Sequence, residues 1–261
     1  MSTWVLLRGL TRERRHWGEF PQRLKATLPE ANVMTLDLPG NGARHRESSP
    51  PDVATMVEAC RAELLRQGAR LPFHLLAMSL GAMVAVEWAS RYPREIAAAV
   101  LINTSLRPYS AFYQRLRPRN YAALLGHLLR AGNDDAIEAR EAAILDMTSR
   151  IAAADVERRR KLVEDWSAWQ RECPVAARNF LRQLWAASRY MAPPQAPTAP
   201  LLILDGAADT LVDPRCSRHL ASAWQVDYAE HPIAGHDLPL DDPEWVVREV
   251  KEWFHRKGAN P

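Results

Sequence analysis

The chain has 261 residues, of which 47% are hydrophobic and 25% charged, and this composition is typical of one large globular domain or of a domain with an insertion. The net charge of +3 is too small to indicate nucleic-acid binding, and no basic run is interleaved with aromatic residues. No apolar run approaches the roughly 20 residues of a membrane span, and no signal-peptide pattern follows the short apolar run at 4–7, so we expect a cytoplasmic protein.

In the first 105 residues, apolar patterns predict four strands that alternate with helices. Short apolar runs bounded by turn residues are typical of buried strands. The predicted strands are Trp4–Leu7, Val33–Leu38, Phe73–Met78 and Ala97–Ile102. Between them, apolar residues recur at helical spacing after Trp17, Pro51 and Ser79. This alternation predicts an α/β fold, with a mostly parallel sheet flanked by helices.

From residue 106 to residue 190 the alternation stops and only helical patterns appear. The predicted helices are Tyr121–Arg130, Asp134–Ala153, Val156–Trp169 and Ala176–Ser188. Because this block follows a strand, we expect it to lie over the carboxyl ends of the strands as an inserted helical cap. We therefore assign 106–190 to the cap, and 1–105 together with 191–261 to the core domain.

After the Pro/Ala-rich connector at 191–200, the strand pattern returns. Two more strands are predicted at Leu201–Leu204 and Val226–Glu230. Asp213 is predicted to cap a helix that reaches about Ala223, and Asp242 to cap the last helix. The core is therefore predicted to contain six strands.

Ser79 lies between a predicted strand and a predicted helix, which requires a tight turn. Such a turn closes only if the residues two before and two after the serine are small, and Ala77 and Gly81 meet this requirement. The pattern matches the nucleophile elbow, G-x-S-x-G with alanine in the first place, which exposes the serine hydroxyl beside the N–H groups of the next helix. The alternative is that Ser79 only caps that helix.

Three side chains of different chemistry each follow a predicted strand. Ser79 follows the third strand, Asp209 the fifth and His236 the sixth, at the edge where open parallel sheets bind ligands. A serine needs a base to take its proton, and the imidazole needs a carboxylate partner. Asp205, at the end of the fifth strand, is a competing candidate for that carboxylate.

Taken together, these segments resemble the α/β-hydrolase fold family, in particular its small esterases with a helical lid. The resemblance covers nearly the whole chain and rests on RGLT, DLPGNG, AMSLG, DGAADTLVDP and GHD. It implies that Ser79 is the nucleophile, His236 the general base and Asp209 its partner. It also implies an oxyanion hole formed by the backbone N–H groups of Leu10 and Leu80. The similarity to esterases that cleave pimeloyl-carrier methyl esters is looser.

Two features depart from the family pattern. Arg8 stands where the family commonly has histidine, and the antiparallel hairpin that usually precedes the first strand is not evident. We expect Asp37 to brace its own turn and Asp237 to cap its loop. The remaining histidines have no metal-ligand spacing and are expected to have packing or surface roles. They are His16, His45, His74, His127, His219, His231 and His255.

The predicted activity is hydrolysis of a small-molecule carboxylic ester through an acyl-enzyme, without a metal or a cofactor. Cys60, Cys173 and Cys216 form no C-x-x-C pair, which argues against a disulfide framework or a zinc site. The same triad could serve a thioesterase, an amidase or a carbon–carbon bond hydrolase. A different class is a protein that binds a small ligand on this fold without turning it over.

The predicted cap carries fifteen basic and ten acidic side chains. One hypothesis is that Arg115, Arg117 and Arg119 attract an anionic substrate, such as an acyl chain on an acidic carrier. The alternative is a solvated helical surface. The tryptophans expected to pack the cap against the core, or to line an acyl pocket, are Trp166, Trp169 and Trp185.

Overall fold

The computed structural model describes residues 2–129 and 136–257 and contains a six-stranded parallel sheet. Its strands run in the order β2-β1-β3-β4-β5-β6. They are β1 (Thr3–Leu7), β2 (Asn32–Leu36), β3 (Phe73–Met78), β4 (Ile96–Ile102), β5 (Leu201–Gly206) and β6 (Asp227–His231). The predicted fold class is confirmed, and each predicted strand end lies within two residues of the observed one.

Helices cover both faces of the sheet because its strands are apolar on both sides. In β1, Trp4 and Leu6 pack into one hydrophobic core, whereas Val5 and Leu7 pack into the other. The first core is closed by α1 (Phe20–Thr27) and α11 (Pro243–Arg256), and the second by α2 (Val53–Arg66), α3 (Leu80–Arg91) and α9 (Arg215–Trp224). The short helix α10 (Leu238–Asp241) was not predicted. No helix within the described ranges is both long and apolar enough to cross a membrane.

Between β4 and β5 the described chain is helical, and we call residues 106–190 the helical insert. Its helices are α4 (Phe112–Arg115), α5 (Tyr121–Leu129), α6 (Ile137–Thr148), α7 (Val156–Glu172) and α8 (Ala177–Arg189). The predicted helix ends at Arg130 and Asp134 lie outside the described residues. The predicted end at Ala153 is wrong, because α6 stops at Thr148 and the Asp155 carboxylate caps the start of α7. The division into core and cap domains stays a prediction.

A buried carboxylate joins the helical insert to the loop that follows β6. Asp241 accepts hydrogen bonds from the backbone N–H of Gly235 at 2.7 Å, of Arg150 at 2.9 Å and of Ile151 at 3.0 Å. Buried carboxylates that accept several N–H groups are held firmly, since each bond offsets part of the desolvation cost. The end of α6 is therefore fixed against the loop that carries His236.

The three tryptophans of the insert have different environments. Trp166 is buried, and both Trp166 and Trp169 contact the ring of His16 in the loop after β1 at centroid distances of 5.2 Å. These two side chains therefore pack the insert against the core, as predicted. Trp185 is 55% exposed and does not serve that purpose.

Candidate active site

Ser79 occupies the turn between β3 and α3 in a backbone conformation that side chains rarely adopt. Its φ is +54° and its ψ is −116°. The Ser79 side chain makes no capping hydrogen bond, so the interpretation of this residue as a simple helix cap is wrong. A Cβ at position 81 would lie 2.5 Å from the carbonyl oxygen of Leu7, so only glycine fits there. The turn therefore presents a half-buried serine at the carboxyl edge of the sheet.

Asp209 and His236 form a buried pair beside this edge. The Nδ1 atom of His236 lies 2.6 Å from Oδ2 of Asp209, and the two residues are 3% and 2% exposed. The other carboxylate oxygen of Asp209 accepts the N–H groups of Leu211 and Val212 at 2.8 and 3.0 Å. With Nδ1 donating to a fixed carboxylate, Nε2 is the imidazole nitrogen that can accept a proton.

The loops that carry this pair are joined by Asn103, a side chain that the sequence did not single out. Asn103 directly follows β4, has a φ of +47° and is 2% exposed. Its Nδ2 donates to the carbonyl oxygens of Gly235 and His236, and its Oδ1 accepts the N–H of Gly206. The only feature of the sequence that could have indicated this role is the position of Asn103, a polar residue directly after a buried strand.

Arg8 and Asp237 form a second buried pair, which joins the loop after β1 to the loop that carries His236. Nη1 of Arg8 donates to Oδ1 of Asp237 at 3.0 Å, and Nη2 donates to Oδ2. The guanidinium also lies 4.8 Å from the ring centroid of Trp17. The prediction that Asp237 caps its loop is wrong, since its side chain makes no capping bond and its carboxylate is used by Arg8.

Asp37 braces its own turn, as predicted, and also holds the loop after β1. Its Oδ2 accepts the N–H of Ala43 at 3.0 Å, and its Oδ1 accepts the N–H of Arg14 at 2.7 Å. The two loops that follow β1 and β2 are therefore fixed to each other.

Ser79 lies between two cavities. Cavity A has a volume of about 430 Å³ and is lined by Arg8, Arg12, Ser79, Arg140, His236 and Asp237 among others. Cavity B has a volume of about 870 Å³ and is lined by Ser79, Met83, Phe112, Leu181, Trp185 and Met191 among others. Leu10 lines both. A substrate bound at Ser79 can therefore place one part in each cavity.

Asp205, the competing candidate, faces Tyr228 rather than His236. Its Oδ1 and the Oε2 of Glu230 each lie 2.8 Å from the Tyr228 hydroxyl, which has one proton for two carboxyl groups. Burial raises the pKa of Asp205 to about 7. A protonated Asp205 can donate to the Tyr228 oxygen while Tyr228 donates to Glu230, which satisfies both contacts.

Replacing Asp205 by asparagine is expected to stabilise the fold at pH 8. Because the folded pKa lies above the ordinary 3.8, the unfolding free energy falls as pH rises from about 4 to about 7, by up to about 4 kcal/mol. Asparagine does not ionise, so Asp205→Asn removes this loss of unfolding free energy. In urea titrations, the stability gained by Asp205→Asn over wild type should therefore be larger at pH 8 than at pH 5. An equal difference in the free energy of unfolding at pH 5 and at pH 8 would contradict the raised pKa of Asp205.

The control for this measurement is Glu63→Gln. A hydrogen bond from Arg66 lowers the pKa of Glu63 to about 2, so the ionised carboxylate stabilises the fold above its ordinary pKa. Glu63→Gln should therefore shift stability at pH 8 in the opposite direction from Asp205→Asn.

Comparisons with known proteins agree with this architecture. A family model described as "Alpha/beta hydrolase family" matches residues 4–249. An enol-lactonase from Burkholderia xenovorans LB400 has a TM-score of 0.77 at 17% identity, over 97% of this chain and 91% of that one. The esterase RhEst1 from Rhodococcus sp. ECU1013 has a TM-score of 0.73 at 18% identity, over 97% and 90%. A thermophilic esterase from Thermogutta terrifontis has a TM-score of 0.72 at 20% identity, over 98% and 90%.

One similarity to a curated sequence is local. The uncharacterized protein YbdG of Bacillus subtilis strain 168 is 27% identical over 100 residues, which are 36% of this chain and 31% of YbdG. The match therefore spans less than a third of that protein's length.

Proposed function

The chain belongs to the alpha/beta hydrolase family, and on that premise we propose that it hydrolyses carboxylic esters through an acyl-enzyme. Ser79 attacks the ester carbonyl carbon, His236 takes the hydroxyl proton and Asp209 holds the imidazole in the required tautomer. The observation that carries this proposal is the buried 2.6 Å contact between Asp209 and His236, together with the position of His236 in the wall of cavity A, which Ser79 also lines.

In the proposed reaction, the negative charge that develops on the carbonyl oxygen is stabilised by the backbone N–H groups of Leu10 and Leu80. Neither N–H group donates a hydrogen bond to another residue within 2–129 or 136–257. Both residues line cavity B with Ser79, and Leu80 begins α3, where the helix dipole also favours negative charge. His236 returns the proton to the leaving alcohol, and a water activated by His236 then releases the acid.

The strained backbone conformation of Ser79 supports an enzyme rather than a protein that only binds a ligand. A non-glycine residue with φ near +54° costs about 1–3 kcal/mol. The strain exposes one hydroxyl to both cavities, and a protein that only holds an apolar ligand gains nothing from it. This cost therefore supports the hydrolase over the binding protein.

The test is covalent labelling with a fluorophosphonate, which transfers its phosphonyl group to an activated serine and releases fluoride. We expect one adduct, located on the peptide that contains Ser79 by mass spectrometry, and no adduct in Ser79→Ala. The matched control is Ser105→Ala, because Ser105 follows β4 and also lines cavity B. Labelling that persists in Ser79→Ala would contradict the proposal.

A further inference from the structure

The two cavities beside Ser79 differ in the groups that line them. His236 is among the described residues that line cavity A, and it is not among those that line cavity B. Leu80, whose backbone N–H is a proposed oxyanion donor, lines cavity B and is not among the described residues of cavity A. The proposed base and this donor therefore lie at different cavities, with the serine between them.

The direction in which an ester binds depends on this arrangement. In the tetrahedral intermediate, the carbonyl carbon carries the Ser79 oxygen, the oxyanion, the oxygen of the leaving alcohol and the acyl chain. A proton passes from His236 to the leaving oxygen only if that oxygen lies within hydrogen-bond reach of the imidazole. This requirement directs the alcohol towards cavity A and leaves cavity B for the acyl chain.

Paired ionised side chains line part of cavity A. Arg8 and Asp237 are joined there through both carboxylate oxygens, and Arg12 donates to the buried carboxylate of Glu141. An alkyl chain that lay against these groups would displace water from them and offer no hydrogen bonds in return. A small alcohol would leave space for that water, so cavity A suits a small leaving group.

Cavity B is larger and its wall is mostly aliphatic and aromatic. Its volume is about 870 Å³ against about 430 Å³ for cavity A, and no carboxylate is among its described lining residues. Of its two arginines, Arg107 is exposed and Arg115 donates to the carbonyl oxygens of Ala187 and Ser188. Each methylene group of a ligand that is buried in such a wall strengthens binding by about fourfold.

Large apolar side chains that line cavity B are also exposed to solvent. Five of them are between 41% and 75% exposed, namely Tyr121, Leu181, Met191, Trp185 and Phe112. Exposed apolar side chains that cluster in this way mark ligand-binding surfaces. A straight acyl chain that extends along cavity B would cover them, whereas an acetyl group held at Ser79 would leave them in water.

We infer that the substrate is an ester of a medium-length or long straight-chain fatty acid with a small alcohol, and that the acyl chain lies in cavity B and the alcohol in cavity A. The inference rests on the proposed function and gives the bound ester a direction. It also assigns specificity to different elements of the helical insert. The residues before and in α4 and α8 limit the acyl chain, and those of α6 limit the alcohol.

Two alanines allow each cavity to be narrowed by the same substitution. Ala111, directly before α4, lines cavity B and not cavity A, whereas Ala143, in α6, lines cavity A and not cavity B. Neither alanine is buried, so a larger side chain can enter the cavity without overpacking a core. Ala111→Phe and Ala143→Phe are therefore matched variants, and thermal melts show whether both are folded.

The test compares ethyl octanoate with octyl acetate, which are isomers that carry the octyl chain on opposite sides of the ester. We expect wild type to prefer ethyl octanoate in kcat/KM by at least about tenfold. Ala111→Phe should lower kcat/KM for ethyl octanoate by about 15-fold to 60-fold, the effect of two or three methylene groups that lose their burial. It should leave ethyl acetate within about threefold of wild type.

The control is Ala143→Phe, which should leave hydrolysis of ethyl octanoate within about threefold of wild type. A wild type that prefers octyl acetate, or hydrolyses both isomers alike, would overturn the inference. A larger loss of ethyl octanoate hydrolysis in Ala143→Phe than in Ala111→Phe would also overturn it.

A binding measurement separates this inference from the proposed function. Octanoate is titrated calorimetrically into Ser79→Ala alone and into Ser79→Ala combined with either phenylalanine variant. Binding that is weakened by Ala111→Phe and kept in Ala143→Phe supports the acyl site in cavity B even if neither ester is hydrolysed. Absence of binding to Ser79→Ala, or equal weakening by both variants, would overturn that site whatever the ester assays show.

Discussion

Ser79→Ala is expected to lower kcat for ester hydrolysis by at least about a thousandfold, and His236→Ala by a similar factor. Without the hydroxyl no acyl-enzyme forms, and without the imidazole the hydroxyl keeps its proton. The double variant should be no slower than either single variant, because the two groups act in one step and the residual rate comes from binding and the oxyanion donors. Steady-state rates with chromogenic esters from acetate to dodecanoate measure all three.

The rate of the double variant tests whether Ser79 and His236 act in the same step. If the losses in the single variants multiplied in the double variant, Ser79 and His236 would act independently, and the proposed proton transfer between them would be wrong. Ser105→Ala, which changes another serine that lines cavity B, should retain kcat within about threefold. That result would show that loss of a nearby hydroxyl is not sufficient to abolish hydrolysis. The ester length with the highest kcat/KM would also report how much chain cavity B accepts.

Arg8→Met is expected to destabilise the fold by about 3–5 kcal/mol, because it leaves the carboxylate of Asp237 buried without its partner. The two side chains are 2% and 3% exposed, so water cannot replace the lost bonds. Asp237→Asn should cost a similar amount by leaving the guanidinium unpaired. The double variant should lose less than the sum of the two, since neither charge then remains buried alone. Urea unfolding measures each free energy.

The exposed pair of Arg23 and Glu244 is the control for this cycle. Its side chains are 40% and 65% exposed, so Arg23→Met should cost less than about 1 kcal/mol. If Arg8→Met cost no more than Arg23→Met, the buried pair would not contribute to holding the loops after β1 and β6 together. A loss of stability without a loss of activity in Arg8→Met would show that the pair supports the fold and not the site.

The sheet could be predicted from the sequence because its signals are local. Strands such as β3 are short apolar runs bounded by turn residues, and the alternation of strands with helices leaves few ways to join them. The same holds for Ser79, since strand, serine and helix follow one another within a few residues. The short helix α10 and the true end of α6 were missed. Their positions are set by capping and tertiary contacts and not by the periodicity of apolar residues.

The choice between Asp205 and Asp209 shows where local reasoning stops. Asp205 lies in the last two residues of β5 and Asp209 lies just after the strand, four residues apart, and no pattern in the sequence states which one faces His236. In the folded chain the turn at Gly206 carries Asp209 to the imidazole and leaves Asp205 against Tyr228. Which carboxylate contacts His236 therefore depends on the path of the backbone between two neighbouring strands.

The sequence by itself therefore determined the order of the strands along the chain, the tight turn at Ser79 and the three strand ends at which chemistry is expected. Only the tertiary structure decided which side chains meet there. Arg8 and Asp237 are 229 positions apart, and Arg12 meets Glu141 across 129 positions. The physical reason is that periodicity and turn chemistry act over a few residues, whereas such contacts form only after the parallel strands align and the helical insert packs against the loops that follow them.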